Sequence, residues 1–332
     1  VHIAVLAGGV GGAKFLAGVK RHLGWDPYGA APADTDDEIV AIVNTADDIR
    51  LHGLQICPDL DSCLYTLSGQ ADTERGWGRA GETWTASGEL AGYGAEAPWF
   101  SLGDKDIATH LVRTRMLDAG YPLSSVTAAL VARWQPGVTL LPMTDDRVET
   151  HVVVADPAAT AGDPAPLIAL HFQEWWVRHG AGLTPQSISP IGAAESTPAP
   201  GVLEAIAAAD LILIAPSNPV VSIGTIVAVP GIKQALRSAT APVVAVAPLI
   251  GGAPVRGHAD VCLAAIGVES TAEAVGRHYG ARSDQGLLDG YLIATGETAD
   301  VPGVRVSAVP LLMSDPDATA AMVQACREVA GV

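Results

Sequence analysis

Residues Leu211–Leu236 read LILIAPSNPVVSIGTIVAVPGIKQAL, an unbroken apolar run followed by a Pro- and Asn-bearing turn and then a long, mostly apolar stretch. A strand with no polar alternation is buried on both faces, which belongs to a parallel sheet covered by helices. Outward from this stretch the same alternation continues. Val202–Ala209 before it reads as a helix, Val243–Ala247, Tyr291–Ala294 and Val304–Val309 after it as strands, and Ala318–Val329 as a closing helix. Toward the N-terminus, His2–Leu6 and Glu38–Val43 have the same strand-sized apolar character. The fold class that follows is α/β, a mostly parallel sheet with helices on both faces. We expect a single α/β domain over residues 1–332, with residues 70–200 as an inserted helical and loop region that includes a flap.

Composition narrows the function. The chain has 332 residues, 49% of them hydrophobic, ample for a large core. No apolar run approaches the length of a membrane helix, and the chain enters its first strand without a charged leader or cleavage site, so a cytoplasmic protein is expected. Cys57, Cys63, Cys262 and Cys326 show no C-x-x-C pairing and are expected to be reduced and mostly structural. A formal net charge of −17 argues against nucleic-acid binding. A small anionic ligand would need a local device: helix-terminal amides, a cation, or a few placed basic groups.

Candidates for each device are present. AGGVGGAKFLAGVKRHLG, residues 7–24, reads as a glycine loop opening a helix near Ala13, with Gly8, Gly9, Gly11 and Gly12 freeing the backbone and Lys14 adding charge. It matches neither the dinucleotide nor the P-loop pattern. Close packing of the loop against the sheet is the alternative. Between Asn44 and Ser68, four carboxylates, Asp47, Asp48, Asp59 and Asp61, fall within fifteen positions, with Arg50 the one Lys or Arg in the stretch. Crowded carboxylates repel unless a cation sits among them, which favours a hard divalent ion on oxygen ligands. The alternative is turn formation by Asp47 and Asp48 and helix capping by Asp59 or Asp61. Strand ends in open parallel sheets gather ligands, so the glycine loop, this cluster and the Ser217–Asn218 turn are expected on one rim.

The rest is less specific. Gln70–Trp99 carries Trp77, Trp84 and Trp99 among glycines and reads as a covering flap whose aromatics either stack on a flat ligand or pack on the body. Lys105, His110, Arg113 and Arg115 lie on or near one predicted helix, where solvated charge is the default reading. Asp145 and Asp146 stand between two strand-like runs, as in a hairpin turn or a second acidic site. His171–His179, HFQEWWVRH, mixes aromatic and polar groups without being diagnostic.

Taken together, GGVGGAKFL, NTADD, PDLD, LGDKD, LPMTDD, HFQEWWV, APSNPVVSIG and VAVAPLIGG resemble, in order and over nearly the whole chain, the 2-phospho-L-lactate transferase family, also called phosphoenolpyruvate transferase, of coenzyme F(420) biosynthesis. The resemblance implies a Rossmann-like fold, a homodimer and magnesium as cofactor. It also implies a guanosine diphosphate-linked phosphoenolpyruvate or 2-phospholactate as donor and the deazaflavin Fo as acceptor, with GMP released. By the same resemblance Asp61 and Ser101 look like deazaflavin contacts, with Lys105 a substitute where relatives carry a basic residue at position 101. Asp47 and Asp48 match the acidic pair beside the metal. Gly9, Gly11, Gly12 and Lys14, with Ser217 and Asn218, look like the nucleotide side. Asp48 and Asp61 are expected to be catalytic, with Asp47, Asp48, Asp59 and Asp61 as metal ligands, and Asp48→Asn and Asp61→Asn to abolish transfer with the fold intact. Two rival readings are an NAD-dependent oxidoreductase on a similar sheet and a non-catalytic deazaflavin or nucleotide carrier.

Overall fold

The computed structural model describes residues 1–95, 99–159 and 166–332. A seven-stranded parallel sheet forms its centre: β1 (His2–Ala7), β2 (Glu38–Val43), β3 (Thr139–Pro142), β4 (Leu211–Ile214), β5 (Val243–Val246), β6 (Gly290–Ala294) and β7 (Arg305–Val309). Their order is β3-β2-β1-β4-β5-β6-β7, every neighbouring pair parallel. This is the doubly wound, Rossmann-like arrangement. Its strand order reverses at β1, so a crevice opens between the carboxyl ends of β1 and β4. The strands of the middle of the sheet are buried along their length because helices cover both faces, which is why they lack alternation.

Helix α1 (Gly9–His22) follows β1 directly and packs against α2 (Pro58–Leu67) and the closing helix Pro316–Ala330. Gly18 lets α1 and the closing helix approach, since a Cβ there would lie 2.4 Å or less from the Thr319 side chain. The closing helix begins at Asp315, whose carboxylate accepts from the Ala318 amide at 2.8 Å, with Pro316 in its first turn. Fully buried Lys20 donates to the carbonyls of Gly29 and Pro136 and so fastens the connection between α1 and β2 to the body.

Three expectations need correction. The glycines do not form a loop ahead of a helix near Ala13. The helix already starts at Gly9, with Gly8 as its extended N-cap. Thr139–Pro142 lies inside the region expected as an insertion, yet it is the edge strand of the main sheet, paired from Val40↔Thr139 to Val43↔Pro142. The remainder of that region falls on either side of it. Before it come helices including α3 (Asp104–Asp118) and Leu123–Trp134; after it, a three-stranded antiparallel sheet of Glu149–Ala155, Leu167–His171 and Ser187–Ile191. Asp145 and Asp146 therefore sit in a connection between two sheets, not in a hairpin turn. Asp145 accepts from the amide and hydroxyl of Ser124 at the start of helix Leu123–Trp134, and Asp146 accepts from Thr197, so both have structural partners. The antiparallel sheet has a small core of its own, with Val152, Val154, Phe172 and Trp175 meeting Val221 and Cys262 of the main body.

Candidate functional site

How the four carboxylates meet is decided by a hairpin that their sequence spacing conceals. Ile49–Leu51 and Leu54–Ile56 pair antiparallel across His52 and Gly53, both in the left-handed region with φ of 51° and 76°. The chain therefore returns on itself, bringing the start of α2 beside the end of β2. Asp47 and Asp48 precede the hairpin, Asp59 and Asp61 fall in the first turn of α2, and all four side chains are buried.

Their surroundings differ. Asn44 donates to Asp59 at 2.9 Å while its own oxygen accepts from the Ala46 amide and from the Thr225 hydroxyl. Burial raises the Asp59 carboxyl to about 6, against the Asn44 and Gly9 hydrogen bonds that hold it down. Burial, and then the Asp59 charge, push the Asp47 carboxyl well above the usual carboxylate range. Burial does the same to Asp48, beside Cys57. One oxygen each of Asp47 and Asp48 is buried with no hydrogen-bond partner among the described residues. Asp61 is different: both its oxygens accept from the guanidinium of Arg113 on α3. Burial is the largest single influence on Arg113 and alone would lower its pKa, but the Asp61 charge, the neighbouring Cys57 and the hydrogen bond to Asp61 together outweigh it and keep the guanidinium protonated.

Arg113 corrects the reading of α3 as carrying solvated charge. Both Arg113 and His110 are about 1% exposed. Arg113 Nη1 lies 3.0 Å from His110 Nδ1, which makes that nitrogen the acceptor and assigns the ring proton to Nε2, 3.5 Å from Asp106. Tyr65 donates its hydroxyl to the same Asp106. A largely buried chain of contacts, Tyr65–Asp106–His110–Arg113–Asp61, thus runs along one wall, its Asp106–His110 step a 3.5 Å approach and not a hydrogen bond. Lys105, offered as a substrate contact, is on the exposed face of α3 and donates its ammonium to the Ala80 carbonyl.

At the crevice between β1 and β4, the Gly8 amide donates to the Ser217 hydroxyl at 3.1 Å and that hydroxyl donates to the Gly8 carbonyl at 2.8 Å. A Cβ at Gly8 would lie 2.6 Å from Ser222 Cβ and 2.7 Å from an Asp59 oxygen, so glycine is required there for the carboxylate to reach the helix start. Asn218 turns its oxygen to the amides of Val220 and Val221, shaping the turn it occupies.

A cavity of about 660 Å³ covers this rim. Gly9, Gly11, Lys14, Asp47, Asp59, Asp61, Ser101, Ser217 and Asn218 line it, whereas Gly12, Asp48 and Lys105 do not. The flap expectation divides. Trp77 and Trp99 reach the cavity, but Trp84 packs edge-on against Trp77, with Arg75 over both rings. Residues 96–98 of that segment lie outside the described residues. Sequence reading gave no site role to Tyr65, Asp106, His110, Ser222, Gln173, Arg256 and Leu311–Met313, all in the wall. The i,i+3 spacing of His110 and Arg113 was the one signal for the buried chain.

A divalent ion can be tested against these groups. Among the described residues no three His, Cys, Asp or Glu stand close enough to enclose one. A magnesium ion bound through one or two carboxylates, with water and substrate phosphate completing its shell, needs no such cage. Asp47 and Asp59 fit this role: both line the cavity, their charges repel, and Asp47 has an unsatisfied buried oxygen. Arg50 is the one Lys or Arg inside the stretch, but Asp61 takes its cation from outside it, Arg113, and Asp48 does not line the cavity.

Comparison with known proteins places the chain in a family. Residues 3–306 match the family described as 2-phospho-L-lactate transferase CofD. A Nocardia farcinica protein named phosphoenolpyruvate transferase is 59% identical over 330 residues, covering 99% of this chain and 95% of its own. Proteins of the same name from Mycolicibacterium smegmatis and Mycobacterium tuberculosis (strain H37Rv) are 57% and 56% identical, covering 99% of both chains. Among solved structures, a Bacillus halodurans protein of the UPF0052 family, BH3568, aligns over 98% of both chains with a TM-score of 0.60 and 17% identity, a likeness of fold. No helix among the described residues is long and apolar enough to cross a membrane. The rival oxidoreductase and carrier readings give way to these matches: the chain belongs to the 2-phospho-L-lactate transferase CofD family, a family of transferases.

Proposed function

We propose that this chain moves a phosphoenolpyruvyl group from a guanosine diphosphate-linked donor to the deazaflavin Fo, giving dehydro coenzyme F(420)-0 and GMP. The name shared by relatives at 56–59% identity favours this donor over its 2-phospholactyl counterpart, which would give coenzyme F(420)-0. The observation that carries the reading is a single cavity joining the helix start at Gly9 and the Ser217 turn to a buried pair of repelling carboxylates, with aromatic rings around it. Helix-terminal amides and Lys14 suit a diphosphate. Trp99 and Phe100, beside Ser101, offer apolar surface to a flat tricycle.

In the transfer, the ribityl hydroxyl oxygen of Fo forms a bond to the phosphorus bearing the three-carbon acid. The bond from that phosphorus to the oxygen of the departing GMP breaks, and the hydroxyl proton is lost. Asp61 lines the cavity with its oxygens fixed by Arg113, so it can orient that hydroxyl and receive the proton without moving. Lys14 and the amides opening α1 balance the charge that builds on the leaving phosphate. Asp47 and Asp59 would hold a magnesium ion, which when bound supplies charge neutralisation on the phosphates. Relief of the repulsion between those two carboxylates is what this chain gains by it. A homodimer and a cytoplasmic location complete the proposal. The test is substrate-dependent binding: Fo should bind without donor and change its fluorescence, GDP should compete with the donor, and riboflavin should be a poorer acceptor than Fo. Failure of the protein to bind either Fo or GDP would overturn the reading.

A further inference from the structure

Two Lys or Arg side chains line the cavity, Lys14 and Arg256. Both are exposed, and neither forms an ion pair among the described residues. In a chain of net charge −17 this is an unusual state for an arginine beside Asp-lined walls. Lys14 sits on α1 next to the glycine turn. Arg256 comes from elsewhere, the segment between the small hairpin Leu249–Ile250/Ala253–Pro254 and helix Ala259–Ala265.

Arg256 is flanked on both sides. Gly257 lies against Trp176, which packs edge-on to His258 with ring centres 5.0 Å apart. The guanidinium reaches the aromatic segment, where a Cβ on Gly76 would lie 2.5 Å from Nη1. Gly76 has φ of +78°, so its backbone turns there and leaves the arginine room beside Trp77. Arg256 thus lies at the cavity mouth between the loop after β5 and the segment that carries Trp77.

We infer that Arg256 binds the carboxylate of the three-carbon acid carried by the donor. This rests on the proposed function, which gives the donor two separate anionic parts. The diphosphate has its partners in the α1 start, Lys14 and the metal-suited acids. The carboxylate needs a second cation on another element, and a planar guanidinium with free N–H groups matches a carboxylate in a paired geometry. Arg256 meets both requirements, and Lys14 is the one other Lys or Arg among the described residues lining the cavity. The residue is thereby a specificity determinant, separating donors with a free carboxylate from a bare guanosine diphosphate.

The experiment compares wild type with Arg256→Met and Arg256→Lys by calorimetry without acceptor, using GDP, the guanosine diphosphate-linked phosphoenolpyruvate, and that donor with its carboxylate methylated. Arg256 is exposed, so the variants should keep the wild-type melting temperature. The expected result is a donor Kd raised about 10- to 100-fold in Arg256→Met, the range for a charged hydrogen-bonded pair, with GDP within about twofold. Methylation should cost wild type a similar factor and cost Arg256→Met almost nothing, and Arg256→Lys should fall between. Equal weakening of GDP and donor would assign Arg256 to the diphosphate and overturn the inference. So would unchanged donor binding with weakened Fo binding, which would make the arginine a clasp on the aromatic segment. A wild type that binds donor but transfers nothing to Fo overturns the proposed function while leaving the Arg256 result readable on its own.

Discussion

Replacing Asp61 by Asn tests the buried ion pair most sharply. From sequence alone this variant was expected to lose transfer and keep its fold, but the structure puts a guanidinium about 1% exposed against both Asp61 oxygens. Asparagine keeps one acceptor and removes the charge. Arg113 then has the Gln55 carbonyl at 3.3 Å and His110 Nδ1 at 3.0 Å, neither of them anionic. Leaving one member of a buried pair uncompensated costs about 3–5 kcal/mol, and the two remaining acceptors put Asp61→Asn at about 3 kcal/mol. Asp118→Asn, which breaks the exposed Arg50–Asp118 contact at 3.3 Å, should cost less than about 1 kcal/mol and is the control. The double variant Asp61→Asn/Arg113→Met should be more stable than the sum of its single changes, because no charge is stranded. The assay is equilibrium denaturation followed by circular dichroism. A midpoint for Asp61→Asn no lower than that of Asp118→Asn would refute the argument and return Asp61 to a purely chemical role.

Further expectations follow from the same site. Burial raises the carboxyl of Asp59 to about 6 in the folded state, above an unfolded value near 3.8. Its contribution is therefore complete below the unfolded pKa and lost as pH rises through about 6, a loss on the order of a few kcal/mol. Burial lowers His171, His22 and His278, which act in the opposite sense over the same range. The readout is accordingly the difference between proteins: metal-free Asp59→Asn should melt above wild type at pH 8 and level with it at pH 4, and a constant offset would contradict the assignment. Magnesium should raise the wild-type melting temperature more at pH 8 than at pH 5, and Asp47→Asn should abolish that rise. Gly8→Ala should drive Cβ into Ser222 and Asp59, costing about 1–3 kcal/mol and weakening GDP binding by calorimetry; unchanged affinity would show that the crevice adjusts. Asn218→Ala removes the acceptor for two turn amides and should weaken GDP binding by about 1 kcal/mol, with no change moving the nucleotide away from this turn.

Much of the fold was legible because burial on both faces writes apolar runs into β1, β2, β4, β5 and β6. The short strand β3 was read into the inserted region because it is joined to its neighbour β2 through a long helical excursion, and parallel pairing leaves no local signal. The Asp47–Asp61 convergence was visible as composition, but its cause was not, since the IRLHGLQI hairpin is only three residues on each side. Arg113 was misread because α3 is mostly polar and its buried stripe is made of Thr109, His110, Arg113 and Thr114 instead of aliphatic groups. A polar helix face is read as solvated unless a partner carboxylate is known, and Asp61 is fifty-two positions away. Arg256 carried no pattern at all. Its place depends on a turn after β5 meeting a glycine in the aromatic segment.

The central claim is the transfer itself, and its most direct test is one incubation read by mass spectrometry: purified protein, Fo, magnesium and, in separate reactions, each of the two guanosine diphosphate-linked donors. The account predicts GMP release and an Fo product heavier by the three-carbon phosphate, with the phosphoenolpyruvyl donor preferred. Preference for the lactyl donor would contradict the choice of donor, and absence of GMP and of any heavier product with both donors would contradict the transfer.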